Sequence, residues 1–273
     1  MAAIASLNGS DMSGTAYPKS PNDGSPWYDQ TARIDRVYDD TIKAWVSRDN
    51  FQSVLSAGGG GFWDDFRGAI NPQWTLLKGS DGAAAYPVVA GNDRVDLVTA
   101  AAGTGIAADG CMLCSIALGN IADRTNGKKI VIPFKMKISA ITTVRYWIGL
   151  SDSNALEQSA SLSATTYTTV ATDAALVLFD TAATTDTIRL VGVKNDVDAT
   201  HLDTSLAPTA DTYETWRLEV DASTGDVEFF RNSTSLGTLP ACLRTSVPVY
   251  FVAGVVPTTT SARTLSLDFA GVH

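Results

Sequence analysis

Residues 129–138 carry the clearest secondary-structure signal in the sequence. Lys135 and Lys137 fall on one face of this segment, and the opposite face is apolar throughout. The apolar face consists of Ile130, Ile132, Phe134, Met136 and Ile138. A period of two is typical of a β-strand that buries one side. Such a strand needs an apolar layer to pack against, so the segment predicts a β-sheet with a buried core.

Similar alternating segments, separated by turn-forming residues, fill the chain from residue 62 to residue 273. About twelve strands are predicted, and no helical segment is long enough to connect parallel strands. We therefore predict an all-β fold of two stacked antiparallel sheets, a jelly-roll sandwich. A β-propeller is not favoured, because the sequence shows no internal repeat.

One hairpin is predicted with particular clarity. Segment 215–221 places Trp216, Leu218 and Val220 on one face. The turn-forming residues 222–225 then lead into segment 227–230, which returns the chain antiparallel to the first strand.

The predicted sandwich begins at Phe62-Trp63-Asp64-Asp65-Phe66, directly after four glycines at 58–61. We expect this first strand to lie beside segment 265–269 near the C-terminus. The glycine run is interpreted as a flexible joint. A phosphate-binding loop is excluded, because no Lys-Ser/Thr pair follows it. Asp64 and Asp65 are interpreted as polar positions on the opening strand.

Residues 1–61 are predicted to form an N-terminal arm, separate from a β-sandwich domain at 62–273. Segment 1–27 is rich in Ala, Ser, Gly and Pro and has too little apolar surface to fold alone. Between residues 29 and 46, apolar residues at helical spacing predict a short amphipathic helix. Its apolar face, a candidate assembly interface, comprises Ile34, Val37, Tyr38, Ile42, Trp45 and Val46. This face could pack on the sandwich or on copies of itself, and an extended arm with chance helical spacing is the third alternative.

Composition limits the classes of partner. The chain has 273 residues, a formal net charge of −9 and 18% charged residues. It therefore lacks a general phosphate-neutralising surface, and no nucleic-acid partner is expected. The odd number of cysteines, Cys111, Cys114 and Cys242, favours synthesis in a reducing compartment. No signal peptide or membrane span is predicted, so we expect a soluble product made in the cytoplasm.

Glycoside hydrolysis is the enzymatic activity that the sequence allows us to test. A retaining glycosidase needs two carboxyl groups about 5–5.5 Å apart. Glu219-Val220-Asp221 begins a suitable pattern, but segment 222–224 supplies Ala, Ser and Thr where a second Glu is required. We interpret these carboxylates as outward positions on a strand that enters a hairpin, and predict that the protein is not an enzyme.

Other site chemistry is weakly supported. Ser-His-Asp catalysis is not favoured, because His201 lies in a polar loop and His273 ends the chain. Cys111 and Cys114 have zinc-knuckle spacing but no second ligand pair, and are interpreted as buried free thiols. Loop residues that could bind calcium match no dedicated calcium loop, so no cofactor is predicted. These residues are Asp180, Asp186, Asn195, Asp196, Asp198 and Asp203.

The chain resembles the concanavalin A-like, laminin-G-type sandwiches found in structural proteins of tailed bacteriophages. The opening Asp-Asp-Phe strand, Trp74 and Ile148-Gly-Leu-Ser-Asp152 carry the resemblance. So do Trp216-Arg-Leu-Glu-Val-Asp221 with the following Gly225-Asp-Val227, and the closing Leu267-Asp-Phe269. The resemblance covers residues 62–273 and leaves the arm outside it.

This resemblance implies a virion structural protein, and the arm favours a capsid decoration or cement protein. On that hypothesis the arm binds the major capsid protein and other copies of the chain, as a homotrimer on the capsid surface. The alternative is a carbohydrate-binding, receptor-recognition domain of a tail fibre or appendage, with host surface glycans as partners. A glycoside hydrolase is the third and least favoured hypothesis.

Overall fold

The computed structural model describes residues 73–81, 94–121, 129–198 and 201–272. It also describes short stretches at 13–14, 26–29, 34–39, 44–47, 62–64 and 66. The chain divides into two compact units, Met1–Trp63 and Asp64–His273. The placement of a domain boundary at residues 61 and 62 stays a prediction.

The first unit contains a four-stranded sheet. Its strands are β1 (Ser13–Gly14), β2 (Pro26–Asp29), β3 (Ile34–Asp39) and β4 (Ala44–Ser47), in the order β1-β2-β3-β4. β1 pairs with β2 in parallel, whereas β3 is antiparallel to both of its neighbours.

The predicted helix near residues 29–46 is therefore wrong where the structure describes this segment. Val37 pairs with Val46 and Tyr38 with Trp45 across β3 and β4. β-branched and aromatic residues favour strands, and a helix this short is marginal without a partner surface. The candidate interface residues on β3 are Ile34, Val37 and Tyr38, and those on β4 are Trp45 and Val46. Ile42 lies outside the described residues, and the role of this set in assembly stays a prediction.

The rest of the chain carries the sandwich. Its strands are β5 (Phe62–Asp64), β6 (Trp74–Lys78), β7 (Val95–Val98), β8 (Cys111–Ser115), β9 (Ile130–Ile138), β10 (Val144–Ser151), β11 (Ala160–Ser163), β12 (Thr166–Thr169), β13 (Asp173–Asp180), β14 (Arg189–Lys194), β15 (Val197–Asp198), β16 (Leu202–Asp203), β17 (Glu214–Val220), β18 (Val227–Arg231), β19 (Thr234–Leu239), β20 (Tyr250–Pro257) and β21 (Thr264–Val272). One helix of four residues, α1 (Ile106–Asp109), precedes β8 in the described part.

These strands form two large sheets and one small hairpin. The eight-stranded sheet has the order β15-β14-β13-β10-β20-β8-β6, with β16 also paired to β14. The seven-stranded sheet has the order β19-β18-β17-β9-β21-β5, with β7 also paired to β21. The small hairpin consists of β11 and β12, which among the described strands pair with each other alone. The opening strand thus lies beside the C-terminal strand, as predicted.

The core between the two sheets is built from the predicted apolar faces. In β9 the five residues at alternate positions from Ile130 to Ile138 are buried, and the residues between them are partly exposed. Across the core, the ring of Phe134 on β9 meets that of Phe251 on β20, with centroids 5.7 Å apart. Phe134 also stacks on Trp216, at 6.4 Å. The prediction of an antiparallel jelly-roll sandwich is confirmed.

Asp64 lies on the opening strand, as predicted, and its carboxylate has partners that the sequence did not indicate. Its carboxylate is buried and accepts hydrogen bonds from the Trp74 indole (Nε1 to Oδ2, 2.9 Å) and from the backbone N–H of Phe66 (2.7 Å). The ring of Phe66 packs against that of Trp74, with centroids 5.6 Å apart. A buried indole N–H needs an acceptor, and Asp64 supplies it.

Among the described residues, no helix has both the length and the apolar character needed to cross a membrane.

Candidate functional site

The outer face of the eight-stranded sheet, directed away from the seven-stranded sheet, is apolar and covered. Side chains from five of its strands form a buried cluster on this face. They are Met112, Cys114, Trp147, Ala174, Leu176, Leu178, Val191, Val193, Val252 and Val256. Trp147 lies directly on the backbone of β20, since a Cβ placed on Gly254 would be 2.2 Å from its Cζ2 atom. This face is therefore a second apolar core.

The cover is a segment that we call the flap, residues 152–172. It contains the hairpin β11–β12, in which Leu162 pairs with Tyr167. Ala160, Leu162 and Ala171 belong to the buried cluster, and Leu156 and Tyr167 pack against it. The flap is thus held to the sheet by apolar contacts along its whole length.

Polar contacts fix the flap at two further points. The Asp180 carboxylate, with no exposed side-chain surface, pairs with Arg145 and accepts a hydrogen bond from the backbone N–H of Leu162 at 2.8 Å. Arg145 in turn donates to Gln158 in the flap. At the other end, the hydroxyl of Thr169 donates to Asp198 at 2.8 Å.

An open groove runs along the edge of the flap. Its walls come from β11–β12, from the loop after β13, and from β14 and β16. The lining residues are Leu162, Ala164, Thr165, Tyr167, Thr184, Thr185, Arg189 and Asp203. We call this site the Tyr167 groove; its volume is about 310 Å³. It combines one aromatic ring with three threonines and an ion pair.

The ion pair in the groove is fixed by its neighbours. Arg189 pairs with Asp203 through Nη1 and donates from Nη2 to the Thr185 hydroxyl at 2.6 Å. The Asp203 Oδ1 atom accepts from Thr187 Oγ1 at 2.9 Å and from the backbone N–H of Ser205 at 2.8 Å. Burial alone would raise the pKa of the Asp203 carboxyl, but these hydrogen bonds and the charge of Arg189 outweigh it and lower that pKa. The pair is therefore charged at neutral pH.

His201 supports the groove from behind. Its ring contacts that of Tyr167, with centroids 3.9 Å apart. Its Nε2 atom lies 4.0 Å from Asp198 Oδ2, which is too far for a hydrogen bond, and neither ring nitrogen has a partner among the described residues. Burial lowers the pKa of His201, with a smaller opposing effect from Asp198. The sequence places His201 in a polar loop without a partner, whereas in the structure its ring packs against Tyr167, which lines the groove.

The carboxylates tested for glycosidase chemistry lie elsewhere, on the seven-stranded sheet. Glu219 on β17 is directly opposite Glu228 on β18, so the hairpin supplies the second glutamate that the sequence pattern lacked. Lys129 Nζ is 2.9 Å from Glu219 Oε2 and 3.6 Å from Glu228 Oε2. The hydrogen bond to Glu219 and the negative charge of Glu219 raise the pKa of Lys129. A half-exposed lysine shared by two glutamates is typical of a surface ion-pair network.

Asp221, the other member of that pattern, shapes the hairpin turn. Its Oδ1 atom accepts from the hydroxyl of Ser223 at 2.6 Å and from the backbone N–H groups of Ser223 and Thr224. The hydrogen bond from the Ser223 hydroxyl is the main cause that lowers the pKa of Asp221. The structure therefore assigns this carboxylate to the turn.

Several of the candidate metal ligands make other contacts. Cys111, Cys114 and Cys242 are buried and form no disulfide, and burial raises the pKa of Cys114 and of Cys242 to about 12. Asn195 accepts a hydrogen bond from Arg244. Asp180, Asp198 and Asp203 contact Arg145, Thr169 and Arg189, respectively. Across the described part of the chain, no group of three His, Cys, Asp or Glu residues is arranged to hold a metal ion.

Most of the groove was not found from the sequence. Asp203 was considered only for calcium, and Tyr167, Thr184, Thr185 and Arg189 were not singled out. One signal was available: Tyr167 is the only large apolar residue in the run Thr165-Thr-Tyr-Thr-Thr169, where an aromatic ring has no obvious core to join.

Comparisons with solved structures identify the fold. No family model and no curated protein matches the sequence. Among solved structures, the carbohydrate recognition domain of Emp47p is similar over 78% of this chain and 94% of its own, with a TM-score of 0.51 and 9% identity. A β-glucanase of Bacillus licheniformis is similar over 78% and 98%, with a TM-score of 0.52 and 11% identity. The fold is a concanavalin A-like jelly roll.

A third similar structure is a β-1,3-1,4-glucanase (lichenase) derived from a mouse hindgut metagenome. It covers 78% of this chain and 98% of its own, with a TM-score of 0.51 and 9% identity. These values establish a common fold, and the predicted concanavalin A-like architecture is confirmed. The association with tailed-phage virions stays a prediction.

The prediction that the protein is not an enzyme is contradicted by these comparisons. It was based on a missing second glutamate in one strand pattern. Similar structures that include two glucanases show that this jelly roll supports glycoside hydrolysis in other proteins. The strand pattern was too narrow a criterion, because two carboxylate residues can also lie opposite each other on neighbouring strands, as Glu219 and Glu228 do.

Proposed function

We propose that the protein binds carbohydrate and does so in the Tyr167 groove. The observation that carries this proposal is an aromatic ring next to a fixed, charged Arg189–Asp203 pair and three threonine hydroxyls in one open groove. A sugar ring has an apolar C–H surface and a rim of hydroxyls. The tyrosine ring can contact the former, while charged groups and hydroxyls can hydrogen-bond the latter.

The size and rigidity of the groove fit the same ligand class. Its volume of about 310 Å³ is at the lower end of small-molecule sites. The flap wall is fixed by apolar packing and by Asp180, and Arg189 is fixed by Asp203 and Thr185. A site that is already ordered loses little conformational entropy when a ligand binds. The similar solved structures add a carbohydrate recognition domain and two glucanases with the same fold.

A glycan array probed with the full-length protein tests this proposal. We expect concentration-dependent binding to a defined subset of glycans. Each glycan that binds should then be incubated with the protein and examined by chromatography, because the appearance of shorter saccharides would show hydrolysis in addition to binding. Absence of binding to every glycan at millimolar affinity or better would contradict the proposal.

A second candidate function concerns where the protein acts. The division into units 1–63 and 64–273 favours a protein whose N-terminal unit attaches it to a larger particle while the sandwich is presented to the surroundings. Together with the sequence resemblance, this supports a capsid decoration or cement protein of a tailed-phage virion, bound to the major capsid protein and to other copies as a homotrimer. A tail fibre or appendage is the alternative location.

Deletion of residues 1–57 tests the second candidate. We expect the truncated chain to keep the near-ultraviolet circular dichroism of a packed sandwich and to lose co-sedimentation with phage particles. Binding of the truncated chain to particles with the affinity of the full-length protein would contradict a role for the N-terminal unit in attachment.

A further inference from the structure

The positive charge in the Tyr167 groove is already neutralised. Arg189 is the only basic residue among those that line the groove, and its guanidinium pairs with Asp203 on one side and with Thr185 on the other. Only 12% of its side chain is exposed. A carboxylate ligand would have to displace Asp203 to form a bidentate pair with this guanidinium.

Asp203 keeps one acceptor position for a ligand. A carboxylate offers about four lone pairs. Thr187 and Ser205 occupy two of them at Oδ1, and Arg189 occupies one at Oδ2. The side chain is 41% exposed, so the remaining lone pair of Oδ2 can accept a hydrogen bond from a sugar hydroxyl. A ligand carboxylate in the same position has no proton to donate to Oδ2, and its charge would be repelled by the nearby Asp203 carboxylate.

The surroundings of the groove are also acidic. Asp198, 45% exposed, accepts from Thr169 at the end of the flap hairpin and lies near His201 behind the Tyr167 ring. Asp186 is exposed and directly follows Thr185 in the chain. Together with Asp203, these residues carry three negative charges, against the single positive charge of Arg189. The whole chain has a formal net charge of −9. The local field therefore opposes an anionic ligand.

From this arrangement we infer that the Tyr167 groove selects uncharged sugars, and that Asp203 excludes acidic sugars such as uronic and sialic acids. The inference rests on the proposed carbohydrate binding. Asp203 contributes to this selectivity in two ways. Its carboxylate accepts a hydrogen bond from a hydroxyl of a neutral sugar, and it pairs with the Arg189 guanidinium that an acidic sugar would need.

Matched pairs of neutral and acidic glycans test the inference. Suitable pairs are lactose with its sialylated form, and oligogalactose with oligogalacturonate, titrated against the full-length protein. We expect the neutral member of each pair to bind with an affinity at least about tenfold higher than that of the acidic member. In Asp203→Asn the charge of Arg189 becomes available, so neutral glycans should bind more weakly, acidic glycans more tightly, and the preference should shrink or reverse.

Asp268→Asn is the matched control. It also removes one negative charge, but from a carboxylate paired with Lys135 on the seven-stranded sheet, and it should leave the preference unchanged. If Asp203→Asn kept the wild-type preference while Tyr167→Ala lost binding, the selectivity inference would be wrong and the proposed groove would stand. If no glycan of either class bound the wild-type protein, the proposed function itself would fail.

Ionic strength gives a second measurement that needs no variant. Salt screens repulsion between exposed charges, with a Debye length of about 10 Å at 0.1 M. Raising the salt concentration should therefore narrow the difference in affinity between the acidic and neutral members of each pair. A preference that did not change with salt would contradict electrostatic exclusion, even if Asp203→Asn failed to fold.

Discussion

The Oδ2 atom of Asp180 accepts a hydrogen bond from the backbone N–H of Leu162, 2.8 Å away. Asp180 ends β13 of the eight-stranded sheet, and Leu162 lies in β11 of the flap. The same carboxylate pairs with Arg145 on β10 and accepts from the backbone N–H of Ala182 at 3.0 Å. A single buried carboxylate thus connects two strands of the sheet, a turn and the flap that forms one wall of the groove.

Asp180→Asn should therefore destabilise the protein. The substitution leaves the Arg145 guanidinium, whose side chain is only 16% exposed, without its anionic partner. Loss of one partner from a buried ion pair costs about 3 kcal/mol. We expect a loss of this size in the free energy of unfolding, measured by urea denaturation.

Asp268→Asn serves again as the comparison. The Lys135–Asp268 pair has side chains that are 34% and 29% exposed, so solvent screens its charges. Its loss should cost no more than about 1 kcal/mol. Equal effects of the two substitutions would show that the burial of Asp180 is not what makes its ion pair stabilising.

Gly254→Ala should destabilise the second apolar core. An added Cβ would lie 2.2 Å from Cζ2 and 2.4 Å from Cε2 of Trp147, so the indole must move. Overpacking of this kind costs about 2 kcal/mol. The cost should fall in a Trp147→Phe background, because the smaller ring leaves the space that the methyl group needs. Additive effects in this double-mutant cycle would contradict direct contact between the two residues.

Stability should decrease in mild acid because of His201. Burial lowers the pKa of His201 below its ordinary value of 6.5 in the folded protein. Between the two pKa values the unfolded chain binds more protons than the folded one, so the free energy of unfolding rises with pH in this window. The contribution of His201 is thus fully present above pH 6.5 and is lost as the pH falls through the lower, folded-state value.

Urea denaturation at several pH values between 5 and 8 measures this effect. His201→Gln removes the titrating group while keeping a side chain of similar length. The variant should show a flatter dependence of stability on pH below 6.5 than the wild type. Identical slopes for the two proteins would indicate that other groups cause the acid sensitivity.

The sandwich was predictable because its signals are local. The alternation in β9 and the turn between β17 and β18 depend only on neighbouring residues, and both were predicted with the correct inward faces. The helix predicted near residues 29–46 was wrong because it relied on local spacing alone. Apolar residues three and four positions apart indicate a helix, but here Tyr38 pairs with Trp45 across two strands, β3 and β4.

The groove could not be predicted, because its parts come from distant segments. Arg189 and Asp203 are brought together by the pairing of β14 with β16, and Tyr167 joins them because the flap lies over the eight-stranded sheet. Glu228 follows the turn in the sequence, yet the hairpin places it opposite Glu219. Asp64 illustrates the limit at a single residue: the sequence indicates a polar position on the opening strand, and only the fold shows that its carboxylate is the buried partner of Trp74.

Titration of the best glycan from the array against two tyrosine variants tests carbohydrate binding in the groove most directly. Tyr167 lines the groove, whereas Tyr213 contacts Lys135 and Lys137 on the seven-stranded sheet. We expect Tyr167→Ala to weaken binding by about tenfold or more and Tyr213→Ala to leave it unchanged. Wild-type affinity in a folded Tyr167→Ala protein would contradict the account.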